Sequence, residues 1–123
     1  MTVSNTIPFH LRGNYAPVTD EITAEILEVR GSLPSELNGR YFRNGANPIT
    51  GESAHWFLGD GMIHGVRLRE GKAEWYRNRW VQTPFYENPS KPVIDLENLD
   101  FSSKNSKANT HVVQHAGRIL CLE

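Results

Sequence analysis

The sequence offers little that would tie it to an oxidising compartment, a membrane or a polyanion. One cysteine, Cys121, stands among 123 residues, so no internal disulfide can form, which fits a reducing compartment. Residues Met1 to Phe9 lack the basic start and the ~7–15-residue apolar run of a secretory leader. No stretch approaches the ~18–20 consecutive apolar residues of a membrane-spanning helix, because charges or glycines interrupt every apolar run. Neither sign of charge dominates: 13 Lys and Arg oppose 14 Asp and Glu. That balance removes the basic footprint that nucleic acid rewards, so no nucleic-acid partner is expected. No G-x-G-x-x-G, phosphate loop or Gly-x-Ser-x-Gly elbow occurs, which leaves nucleotide chemistry and nucleophilic hydrolysis without support. These absences predict a soluble, cytoplasmic globular protein, with peripheral contact with a membrane surface left open.

What is present reads as strands and turns. Residues 1–20 carry Pro8, Gly13 and Pro17 with few apolar anchors, and predict an extended N-terminal arm lying on a larger body. Ile26-Leu-Glu-Val-Arg before Gly31 predicts a strand. Ser32 to Gly39 predicts one helical turn starting near Pro34, with Gly39 at positive φ. Arg40 to Arg43 predicts a short strand, and Asn44-Gly-Ala-Asn-Pro48 a departure from regular structure. From Met62 to Arg69 apolar and polar residues alternate, Glu70-Gly71 supplies a turn, and Ala73 to Val81 forms the second arm of a β-hairpin. Thr83 to Lys107, with prolines at 84, 89 and 92, predicts a long irregular excursion. A second hairpin pairs His111–His115 with Arg118–Leu122 around Ala116-Gly117. The fold class is therefore all-β. The last predicted strand runs straight into Glu123, so the chain is expected to be truncated at its C-terminus.

Five histidines, at 10, 55, 64, 111 and 115, raise the possibility of a metal. His111 and His115 would converge on a helix, but on a strand they only share a face, so scaffold roles are expected. In His55-Trp-Phe-Leu-Gly-Asp-Gly-Met-Ile-His64, glycines on both sides of Asp60 allow a tight turn that the carboxylate organises by accepting backbone N–H groups. The competing role for Asp60 is a carboxylate supporting a site near His55 or His64. Arg43, Asn44 and Asn47 could recognise an acid, but amides beside glycine and proline more often close loops. Cys121, inside an apolar strand, reads as a small buried residue rather than a reactive thiolate.

Five blocks together resemble the opening of the carotenoid cleavage oxygenase family. They are Leu11-Arg-Gly-Asn-Tyr-Ala-Pro-Val, Val29-Arg-Gly-Ser-Leu-Pro through Arg43-Asn-Gly-Ala-Asn-Pro48, His55 to His64, Tyr76-Arg-Asn-Arg-Trp-Val-Gln-Thr83, and Ala108-Asn-Thr-His-Val-Val with Gly117-Arg. Their shared order, from residue 11 to 123, carries the resemblance. It implies a seven-bladed β-propeller, of which residues 21–123 would be the first part. It also implies Fe(II) held by four histidines downstream of residue 123, so that none of the five histidines present inherits a ligand role. The implied reaction is oxidative cleavage by O2 of a carbon–carbon double bond in an apolar polyene, a carotenoid or apocarotenoid, to carbonyl products. Residues 1–123 alone are then expected to be inactive, to bind no iron and to be poorly soluble, since an incomplete propeller exposes sheet edges.

Within the resemblance, Phe57 aligns with a substrate-lining aromatic of the stilbene-cleaving subgroup. A glutamate that orients a ligand histidine is expected one residue beyond Glu123. The stilbene-cleaving relatives carry a lysine where Glu123 aligns, and the glutamate here favours a carotenoid-type substrate. The alternatives are a stilbenoid-cleaving dioxygenase and a non-catalytic propeller that binds an apolar ligand.

Overall fold

The structure, a computed structural model, describes residues 6–89 and 106–123. It contains a four-stranded antiparallel sheet in the order β1-β4-β3-β2 and a separate two-stranded sheet, β5-β6. The strands are β1 (Thr23–Glu25), β2 (Gly39–Ala46), β3 (Gly61–Arg69), β4 (Lys72–Trp80), β5 (His111–His115) and β6 (Arg118–Leu122).

Both predicted hairpins form with their predicted turns. Glu70 and Gly71 take φ of 48° and 73°, and Ala116 and Gly117 take 47° and 74°. Two consecutive positive φ values give the type I′ geometry whose twist suits a two-residue hairpin. In the larger hairpin Met62, His64 and Val66 face Trp80, Asn78 and Tyr76, while Ile63, Gly65 and Arg67 face Arg79, Arg77 and Trp75.

Three local expectations are corrected. The first strand is Thr23–Glu25 rather than the stretch from Ile26, which has φ of 59° and is 92% exposed. Its partner β4 is irregular there: Arg67 pairs with Trp75 and Leu68 with Ala73, leaving Glu74 bulged. The Glu74 carbonyl accepts from Ile26 N–H at 3.0 Å, so the ladder ends where the bulge bends the strand. Second, Pro34–Leu37 makes a turn closed by Leu37 N–H to Pro34 O (3.2 Å), without a helix. Gly39, no longer a cap, opens β2. Third, β2 continues through Asn44, Gly45 and Ala46, which pair with Ile63, Met62 and Gly61; a long partner strand outweighs their preference for turns.

The arm is also less extended than its prolines imply, with 3-10 helices at Phe9–Leu11 and Gly13–Tyr15. Of the excursion after Thr83, residues 90–105 lie outside the described residues, but its start is a short helix, α1 (Pro84–Glu87). Proline at the first helical position and the Thr83 hydroxyl, accepting Tyr86 N–H at 3.3 Å, explain the initiation. Among the described residues the buried apolar residues are few: Met62, Phe85 and Ala108. Much of the order comes instead from buried amides. Asn78 accepts Ile22 N–H (2.6 Å) and donates to Asp20 O (2.9 Å), and so fastens the approach to β1 onto β4.

Candidate functional site

The run His55 to Met62 changes character in its middle. Trp56–Leu58 form a one-turn 3-10 helix, capped by His55 Nδ1 accepting Phe57 N–H at 3.2 Å. Phe57 is 70% exposed and stacks on Trp56 with ring centres 6.2 Å apart. Trp56 in turn meets Phe9 at 5.3 Å and Tyr15 at 5.2 Å, both edge-to-face. The four rings make an exposed aromatic platform joining the arm to the loop before β3. Phe57 is therefore no part of this chain's core.

Three residues on, the chain enters a polar junction. Asp60 is 4% exposed; one carboxylate oxygen accepts Ile49 N–H (2.9 Å) and the other lies 3.4 Å from Lys107 Nζ. The expectation that Asp60 accepts backbone N–H groups holds, but the donor comes from eleven residues away rather than from the Gly-Asp-Gly turn itself. Lys107 also lies over the Phe85 ring at 5.2 Å. Asn109 donates to Phe57 O (2.8 Å) and Gly59 O (2.7 Å). The flanking glycines are required by proximity: a Cβ on Gly59 would stand 2.7 Å from Pro48 Cδ, and one on Gly61 would overlap the Ala108 carbonyl. Residues 47–49, 59–61 and 107–109 thus lock together, and the last turn of the aromatic platform is held by that lock.

The Arg43–Pro48 amides close structure, as the residue types suggest. Asn47 accepts Val18 N–H (2.7 Å) and donates to Val18 O (3.0 Å), strapping the arm to the end of β2. Asn44 donates to Ala108 O (2.7 Å) and His111 O (3.2 Å), joining β2 to the second sheet. Sequence reasoning missed Lys107, Asn109 and Asn78 as organising residues, because partners some 50 residues distant leave no local pattern.

The histidines are dispersed. His10 Nε2 lies 3.0 Å from Ser53 O, His55 caps its helix, and His64 Nδ1 lies 2.7 Å from Tyr76 Oη. Burial, and secondly the nearby Arg43 charge, lower the His64 pKa below its ordinary 6.5. His111 and His115 lie exposed at the ends of β5. Among the described residues no three His, Cys, Asp or Glu side chains converge where a metal ion could sit. The described residues therefore offer no fit for Fe(II). Burial raises the Cys121 thiol pKa, the direction that disfavours a reactive thiolate. The Glu123 carboxylate accepts Lys107 N–H at 2.6 Å.

The described residues form an all-β structure whose antiparallel sheet ends in the locked Gly-Asp-Gly junction. Residues 15–123 match the family model described as retinal pigment epithelial membrane protein. The chain is 46% identical over 117 residues to a carotenoid cleavage oxygenase of Mycobacterium tuberculosis, an alignment covering 92% of this chain and 23% of the relative. It is 37% identical over 147 aligned positions to carotenoid 9,10(9',10')-cleavage dioxygenase 1 of Arabidopsis thaliana, covering 96% and 27% respectively. In three dimensions it superposes on lignostilbene dioxygenase of Pseudomonas brassicacearum with a TM-score of 0.72 at 29% identity, covering 96% of this chain and 28% of that one. The chain belongs to the carotenoid cleavage oxygenase family, and its all-β structure is the first part of a β-propeller. It spans about a quarter of the length of the relatives it matches.

Proposed function

We propose that the full-length protein is a non-haem Fe(II) dioxygenase that uses O2 to cleave a carbon–carbon double bond of a carotenoid or apocarotenoid into two carbonyl products. The observation that carries this reading is the 46% identity to a carotenoid cleavage oxygenase across 92% of the chain. Fe(II) ligands are expected from residues beyond 123, and residues 1–123 alone are expected to be inactive.

This segment's contribution is shape. Phe57, held out from the core by the His55 cap and the Asn109 clamp, is proposed to line the path of the apolar substrate. An exposed ring there gains by covering a polyene, since removing apolar surface from water is worth ~25 cal/mol per Å². The same exposed rings would let a cytoplasmic protein touch a membrane in which such a substrate dissolves. Co-sedimentation with phosphatidylcholine vesicles, lost in a Trp56→Ser, Phe57→Ser double variant, is the expected result.

Likeness to a lignostilbene dioxygenase supports a second reading, a stilbenoid substrate. Glu123 weighs against it, because a carboxylate already accepting Lys107 N–H supplies no cation for a phenolate. Iron-loaded full-length protein is expected to convert apocarotenals to shorter aldehydes or ketones. Cleavage of stilbenes alone would transfer the function to the second reading. Turnover of neither would leave a non-catalytic propeller that binds an apolar ligand.

A further inference from the structure

A cleft of about 460 Å³ opens between the arm and the four-stranded sheet. It is lined by the cross-strand pair Arg43 and His64, which lie opposite each other on β2 and β3. One wall is the arm from His10 to Val18, fastened at one end by His10 to Ser53 O and at the other by the two-way Asn47–Val18 bond. Tyr15 and Trp56, edge-to-face at 5.2 Å, line it as well. The lining includes one arginine and two histidines but no aspartate or glutamate, in a chain where acids outnumber bases 14 to 13. The Arg43 guanidinium makes no ion pair or hydrogen bond among the described residues, whereas the sheet's other face ties Arg67 and Arg69 to Glu74.

We propose that this cleft binds a small monocarboxylate with a flat apolar body, the carboxylate on Arg43 and His64 and the body against Tyr15 and Trp56. The guanidinium fork matches a carboxylate in two parallel hydrogen bonds. His64 Nδ1 and Tyr76 Oη lie 2.7 Å apart; in the tautomer in which Tyr76 O–H donates to Nδ1, the ring proton sits on Nε2, which is then a second donor. A neutral His64 beside Arg43 leaves one positive charge to neutralise, which suits a monoanion rather than a phosphate dianion. The volume falls within the ~300–1,000 Å³ range of small-molecule sites, where aromatic walls with a few polar groups are usual. Phe57, the residue proposed to line the polyene path, is not part of this cleft, so the cleft's ligand can be tested whether or not polyene cleavage is found.

The test is titration of the full-length protein with trans-cinnamate, followed by calorimetry and by the His64 ring resonances, with cinnamyl alcohol and acetate as controls. Cinnamate is expected to bind with a Kd of about 1 mM or tighter and to shift the His64 resonances. Each control, lacking the charge or the body, should bind at least about ten-fold more weakly, a loss of ~1.4 kcal/mol. Arg43→Met should weaken cinnamate by a similar factor with an unchanged circular dichroism spectrum, and Arg43→Lys should restore part of it. No binding, equal binding of cinnamyl alcohol, or unmoved His64 resonances would overturn the proposal. Should Arg43→Met fail to fold, Arg43→Lys and the two controls decide.

Discussion

Two neighbouring stretches of one loop invert the usual arrangement of a folded chain. Residues 55–58 put Trp56 and Phe57 outside, while residues 59–61 put a carboxylate and two close-packed glycines inside. The interior stretch works by directional bonds: Asp60 to Ile49 and Lys107, Asn109 to Phe57 and Gly59. The exterior stretch leaves apolar area open among the described residues, Phe57 being 70% exposed and Trp56, packed on Phe9 and Tyr15, 42%. The contrast separates a junction that fixes where the chain goes from an aromatic surface left open among the described residues, and the two meet where Asn109 donates to Phe57 O.

The largest effect is expected from Asp60→Ala, which strands Lys107 at a nearly dry site; losing one member of a buried pair costs ~3–5 kcal/mol. Urea unfolding of wild type and variant measures it, and a loss under 1 kcal/mol would place the junction's strength elsewhere. Gly61→Ala comes next, because its methyl meets the Ala108 carbonyl and overpacking costs ~1–3 kcal/mol. The same unfolding assay serves, with Gly51→Ala as the control for added strain in open space at positive φ. Asn109→Ala removes two hydrogen bonds to carbonyls and should cost ~1–3 kcal/mol, read as faster amide exchange around Phe57.

Smaller still is the pH response of His64. Its pKa is lowered by burial and by Arg43, so the unfolded chain binds more protons than the folded one, and stability falls as pH drops below the unfolded value of about 6.5. The decline ends once pH passes below the folded pKa. Urea midpoints at pH 7.5 and 5 should therefore converge in His64→Gln relative to wild type; an unchanged difference assigns the effect to other groups. Phe57→Ala should change stability least, within ~0.5 kcal/mol for an exposed site. It should nevertheless raise KM for an apocarotenal by about ten-fold, or ~1.4 kcal/mol. Lost stability with unaltered KM would make Phe57 a structural residue and erase the distinction between the two stretches.

How far this arrangement was legible depended on range. The hairpins at Glu70-Gly71 and Ala116-Gly117 were readable because alternation and a two-residue turn are local properties. The persistence of β2 through Ala46 was not, since only its pairing with Gly61–Ile63 overrides a run that favours turns on its own. Ile26, apolar and β-branched, looked like strand interior and instead sits exposed beyond the bulge at Glu74. Asp60 was recognisable as a turn carboxylate, but its partners Ile49 and Lys107 were not.

The sequence by itself determined the all-β class, the two hairpins and the family, because these rest on short-range patterning and on the order of motifs. The tertiary structure alone decided which side chains meet. It brought Lys107 and Asn109 to the Gly-Asp-Gly turn, strapped the arm through Asn47, and brought Arg43, His64, Tyr15 and Trp56 to line one cleft. The physical reason is that a hydrogen bond or an ion pair is specified by position in space, and residues distant in sequence carry no mark of that position until the strands between them have paired.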